Sequence, residues 1–84
     1  MVYYLIMCRS LTYAQRIVQT LERSGINAWL VRSPASISPS GCSHSVKIAQ
    51  RNLPKALTVL NRVKLPYLGI YVGSPEEGYQ EVEL

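Results

Sequence analysis

Strand-like apolar runs alternate with two amphipathic helical patterns along this chain of 84 residues, and their order constrains the fold more than any other feature. The order of elements is βαββαβ. The predicted strands lie at Val2–Cys8, at Asn27–Arg32, around Val46–Ala49, and at the alternating residues Leu68, Ile70 and Val72. Two interleaved right-handed β-α-β crossovers predict an α+β, ferredoxin-like sandwich. Its four-stranded antiparallel sheet would have the order 4-1-3-2, with both helices on one face.

The two helices are predicted from their apolar periodicity and their end signals. Thr12 begins the first helix, because Thr12-x-x-Gln15 matches a capping box, and Gly25 ends it. The second helix spans roughly residues 53–64, with Asn52 as its N-cap. The apolar positions of the two helices are Ala14, Ile17, Val18 and Leu21, and then Leu53, Ala56, Leu57, Leu60 and Val63. We expect residues 1–72 to form one domain and residues 73–84 to form an acidic C-terminal tail.

Charge is distributed unevenly along the chain. All nine Lys and Arg residues lie within residues 1–75, with Glu22 as the one acid there, whereas the other four of the five acids lie in the last nine residues. A basic body suits an anionic partner, and the acidic tail either keeps the chain soluble or competes with that partner. No basic run is interleaved with aromatic residues, so the sequence does not indicate nucleic-acid binding.

Several classes of protein are excluded by composition. The two cysteines, Cys8 and Cys42, are too few for a disulfide framework and form no CxxC pair. His44 is the single histidine, so no zinc-ligand spacing is present, and we expect no cofactor. No apolar run approaches the roughly 18 residues of a membrane span. We therefore expect a cytoplasmic protein whose thiols are reduced.

Cys42 lies in a segment of small and turn-forming residues that would leave its sulfur accessible. In the predicted topology, strand 3 begins beside the end of strand 1 and the start of the following helix. A thiol at this position would be close to free helix N–H groups and to guanidinium groups, which favour thiolate and also suit a small anion. The residues predicted at this site are Cys42, Ser40, Gly41, Cys8, Arg9, Ser10, Thr12 and Arg32.

Four of these residues, and the nearby His44, each have two interpretations. Cys42 is either a reactive carrier thiol or an incidental exposed one, and Cys8 is either a core residue or a resolving thiol. His44 is either a polar residue at the start of a strand or a proton acceptor for Cys42, since residues two apart in a strand share a face. Arg9 and Arg32 are either site residues or plain surface charges.

Five segments of the sequence resemble a known family. They are Tyr3-Tyr4-Leu5-Ile6, Ser10-x-Thr12-x-Ala14-x-x-Ile17, Arg32-x-Pro34, Ser40-Gly41-Cys42 and Lys55-Ala56-Leu57. Together they resemble the small bacterial selenium/sulfur carrier protein-like family, over most of residues 3–72. Members are short standalone chains or are fused to TusA-type sulfur-carrier domains. The resemblance implies that Cys42 holds sulfur or selenium as a persulfide or selenopersulfide, and that the partners are donor and acceptor proteins.

The leading hypothesis is a carrier rather than a true enzyme, with Cys42 as the carrier thiol. The first alternative is a non-catalytic regulatory or adaptor domain that binds an anionic ligand or protein. The second is a thiol redox sensor that uses Cys8 and Cys42.

Overall fold

The chain forms five strands and two helices in a computed structural model that describes residues 2–34, 44–74 and 76–82. In chain order the elements are β1 (Tyr3–Cys8), α1 (Leu11–Arg23), β2 (Ala28–Arg32), β3 (His44–Ala49), α2 (Leu53–Val63), β4 (Gly69–Ser74) and β5 (Gly78–Glu81). A short 3₁₀ helix, Gln50–Asn52, joins β3 to α2. The α+β class, with two helices and an antiparallel sheet, is confirmed.

The sheet has five strands in the order β2-β3-β1-β4-β5, and every neighbouring pair is antiparallel. The first four strands occupy the predicted order. The prediction of a four-stranded sheet is wrong, because residues expected in the tail form β5 at the edge of β4. The assignment to the ferredoxin-like fold stays a prediction.

Two glycines and a serine allow β5 to pair with β4. A Cβ atom at Gly73 would collide with the carbonyl oxygen of Gly78, so the strands approach closely where one residue lacks a side chain. Gly78 has a φ of 81°, which L-residues other than glycine rarely adopt. The Ser74 hydroxyl accepts a hydrogen bond from the Glu77 amide at 3.2 Å. The glutamates here suggested a solvated tail, but the backbone geometry is that of a hairpin.

The main core lies between the sheet and the helices. Ile6 and Cys8 of β1 pack in it with Ile17 and Leu21 of α1, and all four are fully buried. Leu5 points to the other face of the sheet, yet it is only 2% exposed. β1 is therefore buried on both faces, in agreement with its continuous apolar sequence.

Two details of the helices differ from the prediction. α1 begins at Leu11 rather than Thr12, because Ser10 adopts an extended conformation and its hydroxyl accepts a hydrogen bond from the Tyr13 amide at 3.3 Å. In α2, Leu53, Ala56 and Leu60 are buried as predicted, but Val63 is exposed and Val59, which was not among the predicted positions, is buried. Val63 is the last residue of the helix, where the chain turns away through Lys64 with a φ of 58°.

Candidate functional site

One end of the sheet gathers the described residues of the predicted site. There, Cys8 ends β1, Arg32 ends β2 and His44 begins β3. His44 lies directly opposite Cys8 on one side and opposite Arg32 on the other. We call this the loop end, since the chain leaves the sheet there after Arg32 and returns to it at His44. The predicted meeting of the start of strand 3 with the end of strand 1 is confirmed.

The N-terminus of α1 lies at the same end, because only Arg9 and Ser10 separate β1 from the helix. Ser10 caps the helix, and its carbonyl accepts the first helical hydrogen bond from Ala14 at 3.1 Å. The amides of Leu11 and Thr12 occupy the first two helical positions, which have no partner inside an α-helix. These amides and the helix dipole produce a positive potential at the loop end.

Cys8 has the properties of a structural cysteine. Its side chain is fully buried, and its thiol donates a hydrogen bond to the Ile6 carbonyl, with a sulfur–oxygen distance of 3.4 Å. Burial raises the pKa of the Cys8 thiol to about 12, so the thiol stays protonated at neutral pH. The interpretation of Cys8 as a core residue is thus supported, and a resolving role stays a prediction.

His44 carries a buried nitrogen that has no hydrogen-bond partner among the residues that the structure describes. Within the described residues, its Nδ1 atom is the one buried side-chain nitrogen or oxygen left unpaired. A buried polar atom without a partner lowers the free energy of unfolding by about 1–3 kcal/mol relative to a hydrogen-bonded one. Directly opposite residues of antiparallel strands share a face, so the side chain of His44 lies on the same side of the sheet as that of Cys8.

The two arginines of the predicted site are both exposed. Arg9 places its guanidinium carbon 5.9 Å from the centre of the Tyr13 ring, a cation–π contact at the start of α1. Arg32 lies at the end of the edge strand β2, beside His44. Both positive charges therefore lie at the loop end, where an anion would encounter them.

Ser40, Gly41 and Cys42 lie outside the described residues. The structure thus brings together the predicted site residues Cys8, Arg9, Ser10, Thr12, Arg32 and His44.

The sequence did not reveal a buried pair of hydroxyls at the loop end. The Oγ atoms of Ser33 and Ser45 are 2.6 Å apart, and the two residues are only 4% and 0% exposed. Ser33 follows β2, and Ser45 is the second residue of β3. The hydrogen bond therefore connects the end of β2 to the start of β3, on either side of residues 34–44. The only signal in the sequence was a serine, Ser45, at the start of an apolar strand. The chain has many other serines, so this one could not be recognised as buried.

The part of the chain that the structure describes contains no cluster of three or more metal-ligating side chains. Among the same residues, neither helix is long and apolar enough to cross a membrane. A shallow cavity of about 280 Å³ is lined by Val2, Tyr3, Ala49, Gln50 and Arg51. Because Tyr3 and Ala49 pair at the opposite end of the sheet, this cavity does not belong to the loop end.

The chain was compared with known proteins at three levels. Neither the curated proteins nor the solved structures include a match to it. A family model described as "Putative Se/S carrier protein-like" matches residues 3–72. The match covers all secondary-structure elements from β1 to the middle of β4, and it includes the position of Cys42. The chain therefore belongs to the family of Se/S carrier protein-like domains.

Proposed function

We propose that this protein carries sulfur or selenium on Cys42, as a persulfide or selenopersulfide, between a donor protein and an acceptor protein. The observation that carries the proposal is the family match over residues 3–72, within which Cys42 is the one cysteine outside the described core. The positive loop end supports it, because a carrier thiol reacts as its thiolate.

Chain connectivity links Cys42 to the loop end. Cys42 comes two residues before His44 in the chain, and two residues span at most about 7 Å. The N-terminus of α1 and Arg32 lie at the same end of the sheet as His44. Both favour an anion over a neutral thiol, so we expect the pKa of Cys42 to be lower than that of a free cysteine, about 8.5.

The transfer step is a redox-neutral exchange. The Cys42 thiolate attacks the outer sulfur of a donor persulfide, R–S–SH, and a new bond forms between Sγ and that sulfur. The bond between the outer sulfur and the donor sulfur breaks, and the donor leaves as a thiolate, R–S⁻. In the second transfer, an acceptor thiolate attacks the outer sulfur on Cys42, and Cys42 leaves as a thiolate. Selenium is transferred by the same exchange.

His44 is the candidate to take the proton from the Cys42 thiol, because residues two apart in a strand share a face. Its Nδ1 atom is buried and lacks a hydrogen-bond partner among the described residues, so no interaction there has to be broken first. We propose that this nitrogen accepts the proton as the thiolate forms.

The redox-sensor alternative needs Cys8 as a second reactive thiol. The buried, protonated state of Cys8 disfavours this function, since thiol–disulfide exchange requires an accessible thiolate. The adaptor alternative makes Cys42 incidental, and it predicts that no sulfur is loaded.

The test is incubation with glutathione persulfide, followed by intact-mass spectrometry. We expect a mass gain of one sulfur atom, removable by reductant, in the native chain and in Cys8→Ala. Cys42→Ser should gain none. Loading that survives in Cys42→Ser and is lost in Cys8→Ala would refute the assignment. Equal absence of loading in all three proteins would refute the carrier function.

A further inference from the structure

We propose that the loop end is bordered by a docking surface for a partner protein whose own contact surface combines apolar side chains with carboxylates. The surface consists of Leu11, Arg62, Val63, Lys64 and Leu68, which we call the docking rim. This inference rests on the proposed carrier function, because a persulfide donor or acceptor must bring its sulfur to Cys42.

Leu11 and Leu68 lie on either side of the end of β1. Leu11 is the first residue of α1, three positions after Cys8. The amide of Leu68 donates a hydrogen bond to the carbonyl of Met7 at 2.8 Å, and Met7 pairs with Gly69. Both leucines are therefore within a few residues of the last position of β1.

The C-terminus of α2 lies at the same end of the domain. α2 starts beyond the last residue of β3, at the opposite end of the sheet, and it finishes at Val63. Lys64 caps it with a left-handed conformation, and only three residues separate Lys64 from Leu68. This short connection keeps Arg62, Val63 and Lys64 beside the loop end.

The docking rim contains three large apolar side chains that the fold leaves in solvent. Leu11 is 42% exposed, Val63 is 47% exposed and Leu68 is 58% exposed. A single exposed leucine is common on soluble proteins. Three exposed apolar side chains at the same end of a small sheet are more typical of an interaction site.

The charge at the loop end has one dominant sign. Arg9, Arg32, Arg62 and Lys64 are all exposed there, and within residues 2–34, 44–74 and 76–82 none of them forms an ion pair. Three of the described acids lie at the opposite end. They are Glu22 in the last turn of α1, and Glu76 and Glu77 in the turn between β4 and β5.

Glu81 is the described acid nearest the loop end, since its carboxylate approaches Gly69 at the start of β4. Among residues 2–34, 44–74 and 76–82, the loop end nevertheless carries four positive charges against this one negative charge. A partner surface that carries carboxylates would be attracted and oriented by this excess, which speeds encounter more than it strengthens the final complex.

A protein partner fits this surface better than RNA does. Proteins that bind single-stranded nucleic acid usually combine cations with aromatic side chains on which bases stack. The exposed apolar side chains of the docking rim are leucine and valine, which pack against other apolar side chains and offer no ring for stacking.

The experiment uses two synthetic peptides, each with a cysteine activated as a 2-pyridyl disulfide. In one, leucines and glutamates flank the cysteine, and in the other leucines and serines do. The Cys42 thiolate attacks the peptide sulfur, and 2-thiopyridone leaves and is measured by its absorbance. We expect the acidic peptide to react about tenfold faster than the neutral one at low salt. This advantage should disappear near 1 M salt, where the screening length is about 3 Å.

Matched variants locate the effect. Arg62→Gln and Arg23→Gln each remove an arginine from the last turn of a helix, but only Arg62 belongs to the docking rim. Likewise, Val63→Gln alters the docking rim, whereas Val2→Gln alters an exposed valine (40% exposed) at the opposite end. We expect Arg62→Gln to reduce the acidic-peptide preference and Val63→Gln to slow both peptides, while the two controls leave both rates unchanged.

Three results would overturn the proposal. They are equal rates for the two peptides, equal effects of the rim and control variants, and tight binding of an RNA oligonucleotide that Arg62→Gln abolishes. The neutral reagent 2,2′-dithiodipyridine reports the intrinsic reactivity of Cys42 and should not distinguish the variants. If glutathione persulfide still loads Cys42 but the peptide preference is absent, the docking rim is refuted and the carrier function is not.

Discussion

The hydroxyl pair of Ser33 and Ser45 gives a quantitative test of how the loop end is held together. Their Oγ atoms are 2.6 Å apart, and both residues are almost completely buried. Replacing one serine with alanine leaves the other hydroxyl buried without this partner, which costs about 1–3 kcal/mol. Replacing both removes the bond and the orphaned hydroxyl together. We therefore expect the double variant to be at least as stable as the less stable of the two single variants.

Urea unfolding of the native chain, Ser33→Ala, Ser45→Ala and the double variant measures this coupling. With a slope of about 1–3 kcal/mol per molar urea, each single variant should shift the midpoint down by roughly 1 M. The coupling energy of the pair should be at least about 1 kcal/mol.

Ser24→Ala is the matched control for the serine pair. Its hydroxyl donates to the Thr20 carbonyl at 3.2 Å and stays partly exposed, so its loss should cost little. Two results would refute the assigned role of this hydrogen bond. One is that the losses of unfolding free energy in Ser33→Ala and Ser45→Ala add up in the double variant. The other is that the single variants are as stable as Ser24→Ala.

Three further predictions concern other parts of the fold. Ser10→Ala removes the helix cap on the Tyr13 amide and should lower the free energy of unfolding by about 1 kcal/mol in urea; no change would contradict the cap. The folded chain retains the Cys8 proton that the unfolded chain loses above about pH 8.5, so stability should fall as pH rises above that value. Cys8→Ala should show a shallower fall in the same titration, and an identical slope would contradict the raised pKa. Gly73→Ala should destabilise the pairing of β4 with β5, because the added Cβ meets the Gly78 carbonyl, and amide hydrogen exchange in β5 should become faster; unchanged exchange would argue against the close approach.

Much of the fold could be predicted from periodicity. The buried faces of β1 and α1 followed from the apolar spacing of Ile6, Ile17 and Leu21. The strand order β2-β3-β1-β4 followed from the handedness of β-α-β crossovers. β5 could not be predicted, because its four residues carry one aromatic side chain and no continuous apolar alternation. Its position depends on backbone pairing with β4 and on glycine conformations.

The site was predicted less completely than the fold. Topology alone brought His44 next to Cys8 and the α1 N-terminus. The cap of α1 was misplaced, because both Ser10 and Thr12 suit an N-cap and a sequence pattern does not reveal which of them is extended. The contact between Ser33 and Ser45 joins residues twelve positions apart, so its discovery required the register of β2 against β3.

The pH dependence of Cys42 alkylation tests the central claim most directly, because a carrier thiol at the loop end must be a thiolate near neutral pH. The measurement is the rate of reaction with iodoacetamide in Cys8→Ala, where Cys42 is the one cysteine left. We expect a midpoint clearly below about 8.5, the pKa of a free cysteine. A midpoint at or above that value would contradict it.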